Sequence, residues 1–139
     1  MGPSKFQWTK KQIFYAQTLL DLLPDKLKVD CSIGEKNLKC RIERRKPRDI
    51  EREDPSEAIR SDEIIGILKK HFQIIEQKPL GGTVLNLLFD RIAKNFNEED
   101  PCIRSLILSF QKIEEILILE EILPSDFTFL VLKKQSAKK

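Results

Sequence analysis

With 139 residues, 40% hydrophobic and 34% charged, the chain is long enough for one domain with a real core and too apolar for wholesale disorder. A net charge of +3 is too small to imply a nucleic-acid or membrane partner, and no apolar run approaches the ~20 residues that span a bilayer. The start, Met1-Gly2-Pro3-Ser4-Lys5-Phe6, has neither the basic-then-apolar order of a secretory signal nor the pattern for N-myristoylation.

The chain opens on a capping box. Thr9 followed by Gln12 lets the hydroxyl accept from the third helical amide while Gln12 reaches back to the cap. Ile13, Ala16, Leu20 and Leu23 then share a helical face, and Pro24 stops the helix. From 27 to 45 the period changes to two. Val29, Cys31 and Ile33, then Leu38, Cys40 and Ile42, alternate with polar residues around Gly34-Glu35-Lys36-Asn37, which predicts a hairpin with one half-buried face. Residues 44–54 carry mixed charge and read as a solvated connector. Asp54-Pro55 begins a short turn, and Ser61 caps a second helix with apolar positions Ile64, Ile65, Ile67, Leu68 and Phe72.

A strand over 73–78 follows, closed by Pro79 and the sharp turn Leu80-Gly81-Gly82-Thr83. Leu85, Leu88, Phe89, Ile92 and Phe96 predict a third helix. Asp100-Pro101 starts a fourth, running to 122, with Ile103, Leu106, Ile107, Phe110, Ile113 and Leu117 on one face. The last element, 127–132, is apolar at nearly every position and bounded by turn signals, which predicts a strand buried on both faces. Such strands belong to sheets covered by helices on both sides. Only one other strong strand precedes it, so the chain reads as the end of an α/β sheet whose beginning is missing.

Candidate chemistry is sparse. Cys31, Cys40 and Cys102 are widely spaced and His71 is far from them, so no zinc spacing exists. They read as reduced thiols of a cytoplasmic protein, with a Cys31–Cys40 bridge across the hairpin as the sharper alternative. His71 fits the last turn of its helix, where it meets terminal carbonyls. Gly81-Gly82-Thr83 follows a strand and opens a helix, where phosphate-binding loops sit, but two glycines alone also make a structural turn. Arg44-Arg45-Lys46-Pro47-Arg48 lacks interleaved aromatics and is followed by acids, which argues against nucleic acid. Glu57 and Arg60 form either a polar pair facing a cleft or an ion pair fixing the helix entry.

Four segments together resemble the C-terminal part of bacterial class I S-adenosylmethionine-dependent methyltransferases, in a branch frequent in cyanobacteria. They are Gly2 to Thr9 (GPSKFQWT), Asp54 to Ser61 with Glu63-Ile64 (DPSEAIRS…EI), Lys78 to Thr83 (KPLGGT) and Ser125-Asp126-Phe127. The resemblance implies a partial Rossmann-like sheet whose last two strands pair antiparallel, with flanking helices and a charged lid. It divides the chain into a lid-like region over 1–60, a C-terminal α/β part over 61–133 and a basic tail over 134–139. It implies methyl transfer to an acceptor, with Glu57, Arg60, Gly81, Gly82 and Asn86 on the substrate side. Relatives tend to carry an aromatic residue at the position of Leu80 and a His at that of Asn86, so this surface differs here.

The Gly-rich cofactor loop and the ribose-binding acid of the family do not occur in this sequence. Met1 stands where relatives continue backwards into the cofactor domain. The resemblance therefore implies that S-adenosylmethionine does not bind this chain alone, that the chain alone lacks activity, and that it is either a truncated or a separately encoded methyltransferase half. An unpaired edge on the last strand implies self-association. The alternative reading is a small protein-interaction module that uses this sheet edge or the basic connector.

Overall fold

The computed structural model describes residues 8–32, 37–44, 52 and 63–135. Among them the chain is mixed α/β, with helices and an open sheet of two antiparallel strands. Two compact units are each assembled from separated segments. One comprises 1–8, 44–80 and 125–139, and the other 9–43 and 81–124.

The first unit holds α2 (Ile64–His71), β1 (Phe72–Pro79) and β2 (Thr128–Lys134). Helix α2 passes straight into β1, and its last turn carries Lys69, Lys70 and His71, basic residues that suit a helix C-terminus. The Ser61 cap, Glu57 and Arg60 lie outside the described residues. Strands β1 and β2 pair antiparallel from Phe72↔Lys134 to Pro79↔Thr128, with a bulge at Ile75 between Ile74 and Glu76. The start of β2 is tied down by side chains. The Thr128 hydroxyl donates to the Lys78 carbonyl (3.1 Å), and the Ser125 hydroxyl donates to the Phe127 carbonyl (2.6 Å).

The expectation of a strand buried on both faces fails. Phe127, Phe129 and Val131 are exposed on one face, while Thr128, Leu130 and Leu132 are half-buried on the other. The physical reason is that, among the described residues, β1 is the only strand beside β2. Residues alternate across a strand, so covering both faces needs layers on both sides. Helix α2 likewise buries none of its residues fully.

The second unit contains the core. It holds α1 (Lys10–Leu22), a 3₁₀ turn (Asp25–Leu27), α3 (Leu85–Phe89), a second 3₁₀ turn (Ala93–Asn95) and α4 (Pro101–Leu119). Every fully buried apolar residue among those described belongs to it, including Ala16, Leu20, Leu87, Leu88, Ile92 and Phe110. Phe89 stacks edge-on to Phe96 at 4.8 Å and lies 6.5 Å from Phe110, joining α3 to α4. The capping box at Thr9 forms as its residues dictate, with the Thr9 N–H on Gln12 Oε1 (2.7 Å) and the Gln12 N–H on Thr9 Oγ1 (3.2 Å). Asp100 caps α4 by accepting from the Cys102 N–H at 2.8 Å.

Three sequence expectations are corrected in this unit. The hairpin over 27–45 reduces, among the described residues, to one antiparallel bridge, Val29↔Leu38. Its burial follows the expected face only in part: Ile42 is buried and Val29 and Cys31 are half-buried, but Leu38 and Cys40 are exposed while Asp30 and Lys39 are buried, and Ile33 with the turn over 34–36 lies outside the described residues. The predicted third helix stops at Phe89, because Arg91 turns into the left-handed region (φ 62°) and a 3₁₀ turn follows. Helix α4 ends at Leu119 rather than 122, where Glu121 takes φ 54°.

Candidate functional site

Gly81 and Gly82 have φ of 77° and 73°, which only glycine adopts without strain, and this bends the chain into the start of α3. The turn aims a row of backbone N–H groups at one point. Glu114, on the buried face of α4, places its carboxylate there. Oε1 accepts from Thr83 (3.0 Å), Val84 (2.6 Å) and Leu85 (2.9 Å), and Oε2 accepts from Gly82 (3.0 Å). Four charge-assisted bonds from amides at a helix start give a buried carboxylate its full complement of donors.

The Gly81-Gly82-Thr83 turn thus has the form of an anion cradle whose occupant is the chain's own carboxylate. A methyl group at Gly81 would run into Glu114 Oε2. The same turn is braced from α1: the Gln12 amide donates to the Thr83 hydroxyl at 2.7 Å while its oxygen serves the Thr9 cap.

The other end of α3 is closed by a cation. Lys39 Nζ donates to the carbonyls of Leu87 (2.7 Å), Leu88 (3.2 Å) and Asp90 (2.7 Å). Glu114 and Lys39 therefore complement the dipole of this five-residue helix at both ends. Burial pushes the Lys39 ammonium down to about 8, with the carboxylates of Asp90 and Asp30 acting against that shift.

Beside Lys39 lies a polar knot. Asp30 accepts from the Ser32 hydroxyl (2.6 Å) and N–H (2.8 Å) and pairs with Arg91 at 3.2 Å. The Ser32 hydroxyl, then its N–H, hold the Asp30 carboxyl below its ordinary value, with Arg91 adding to the effect. The left-handed turn at Arg91 lets its carbonyl accept the Cys31 N–H at 2.7 Å. The Asn95 amide donates to the Val29 (2.6 Å) and Leu27 (3.2 Å) carbonyls, and the Cys31 thiol lies 3.4 Å from Asn95 Oδ1. All three cysteines are free thiols.

Of the residues singled out from sequence, Gly81 and Gly82 form the cradle and Asn86 lies on the exposed side of α3. Glu57 and Arg60 are outside the described residues. Glu114 and Lys39 were missed. Glu114 carried a legible signal, since it falls between Phe110 and Leu117 on the buried face, where a carboxylate needs donors. Lys39 had none, because it sits on the polar phase of an alternating run. No family model matches this chain, and neither a curated protein nor a solved structure matches it.

Proposed function

We propose that this chain is the C-terminal, sheet-closing part of a class I S-adenosylmethionine-dependent methyltransferase, acting with a separately encoded cofactor-binding half. The observation that carries this reading is the open sheet. Its two strands pair antiparallel as the resemblance requires, and the unit that holds them has no fully buried apolar residue among those described. A strand such as β2, apolar on both faces and with one neighbouring strand among the described residues, is consistent with a sheet that continues into further strands. Methyl transfer relies on holding the sulfonium methyl against a nucleophile, so the cofactor half supplies the reaction and this part shapes the acceptor side. Glu57, Arg60 and Asn86 are the proposed acceptor-side residues. Gly81 and Gly82 contribute the bend of the turn rather than amide donors, since the Gly82 N–H already serves Glu114.

Calorimetric titration tests the reading in two arms. The chain alone is expected to show no saturable binding of S-adenosylmethionine, because the amides and ribose-binding acid of the family are absent. Co-expression with the reading frame upstream of Met1 is expected to restore binding. A stoichiometric micromolar isotherm from the chain alone, or an upstream frame without a Gly-rich cofactor loop, would overturn the proposal.

A second reading is favoured by one specific observation. Phe127, Phe129, Val131 and Ile75 expose apolar surface on an open sheet, the form used when a partner strand is added to an edge. A protein-interaction module of that kind would bind an extended peptide with no requirement for a cofactor.

A further inference from the structure

Helix α4 leaves a second apolar face uncovered, on the side away from Glu114. Leu108, Ile113, Ile116 and Leu119 are 58%, 38%, 46% and 66% exposed, while Ile103, Phe110 and Leu117 enter the core. At about 3.6 residues per turn, Leu108, Lys112 and Leu119 follow one line along the helix, with Ile116 and Ile113 on its flank. Ser105 and Ser109 lie on the same face and are small enough for a close helix approach. Their side chains do not compete for a partner in the case of Ser109, whose hydroxyl is turned back onto the Ser105 carbonyl at 2.8 Å.

Charge along this face is polarised. Arg104 and Lys112 come first, then Glu115, with Glu120 and Glu121 following just past the end of the helix. Lys112 and Glu115 touch at 2.6 Å and are both well exposed, near the middle of the apolar stripe. We propose that this face is a contact between two copies of the chain, with their α4 helices antiparallel about a two-fold axis through the Lys112–Glu115 pair. The two-fold sets Leu108 of each copy against Leu119 of the other. It also sets Lys112 of each against Glu115 of the other, making a ring of alternating charge. A parallel arrangement would instead stack like charges on each other. Self-complementarity of this kind is what a two-fold interface requires, and it identifies a second copy as the occupant.

The inference is independent of the methyltransferase reading and of the sheet edge. Sedimentation equilibrium of the full chain is expected to show a dimer as the smallest associated species, and Val131→Lys, which removes association through the sheet, is expected to leave that dimer intact. Lys112→Glu alone places four acids on the axis, and Glu115→Lys alone places four bases there. Each is expected to weaken dimerisation by about tenfold or more, with an unchanged far-ultraviolet spectrum. An equimolar mixture of the two variants is expected to restore the dimer as a heterodimer, because each acid again faces a lysine. A fold defect in either variant would not produce that rescue. A monomeric chain, a dimer lost on Val131→Lys, single variants that dimerise like the parent, or a mixture that stays monomeric would each overturn the proposal.

Discussion

The carboxylate of Glu114 and the ammonium of Lys39 are buried charges held by several backbone groups, with no ion-pair partner among the described residues. Glu114→Ala would leave buried amides at Thr83 and Val84 without their acceptor, at about 1–3 kcal/mol for each such group. The expected loss, read from urea unfolding, is about 2–5 kcal/mol. Glu114→Gln keeps one acceptor oxygen for three of the four amides and is expected to lose less. Equal losses from Ala and Gln would show that the negative charge matters more than the hydrogen bonds. For Lys39 the sign follows from its proton. The native chain releases it near pH 8, whereas the ordinary value is 10.5, so the unfolded state binds more protons across that interval. Stability contributed by this group therefore rises with pH between those values. The difference in unfolding free energy between the parent and Lys39→Met is expected to grow over the same window. A flat difference would contradict a depressed Lys39.

At the scale of elements, helices begin where local chemistry tells them to and end where tertiary contacts intervene. Asp100 accepts from Cys102 and Pro101 occupies the first turn of α4, both features that favour a helix start. Asp100→Ala is expected to lower the melting free energy by ~1 kcal/mol, with fraying confined to the first turn in amide exchange. Helix α3 behaves differently. Five residues are too few to hold a helix by propensity, so its termini must be satisfied from outside. Glu114 and Lys39 do this from α4 and from the 37–44 segment. Gly81→Ala attacks the same device through the backbone, since it needs φ 77° and its methyl meets Glu114. A loss of about 1–3 kcal/mol is expected, with faster exchange at the amides of Val84 and Leu85. Unchanged exchange there would show that α3 is held by packing alone.

For the molecule as a whole, the uneven distribution of buried apolar surface is the governing fact. The unit with α1, α3 and α4 holds every fully buried apolar residue among those described, and the unit with the sheet holds none. Covering Phe127, Phe129 and Val131 would be worth roughly 1.5–3 kcal/mol apiece, comparable in sum to the stability of many domains. A strand with that much uncovered apolar surface and, among the described residues, no strand on its second edge is a template for association. Species larger than a dimer are therefore expected in light scattering of the purified chain, and Val131→Lys is expected to remove them without loss of helical signal. Persistence of those species in Val131→Lys would place the association elsewhere.

What the sequence determined by itself was the part of the structure whose partners lie within a few residues. Thr9 and Gln12 close a capping box three residues apart, Asp100 caps its own helix, and the apolar run before Lys133 is a strand. Its antiparallel pairing with a strand over 73–78 followed from the resemblance, and the structure pairs β1 and β2 in that sense. The Gly81-Gly82 turn was legible as a bend at a helix start, but not what fills it. Its carboxylate comes from 30 residues away, and the ammonium at the other end of α3 reaches across 48. Periodicity also placed Leu38 inside and Lys39 outside, whereas the structure does the reverse. An alternating pattern reports which residues share a face. Which face is buried depends on the donors and acceptors that arrive from elsewhere in the chain, and here three carbonyls at the end of α3 draw the lysine inward.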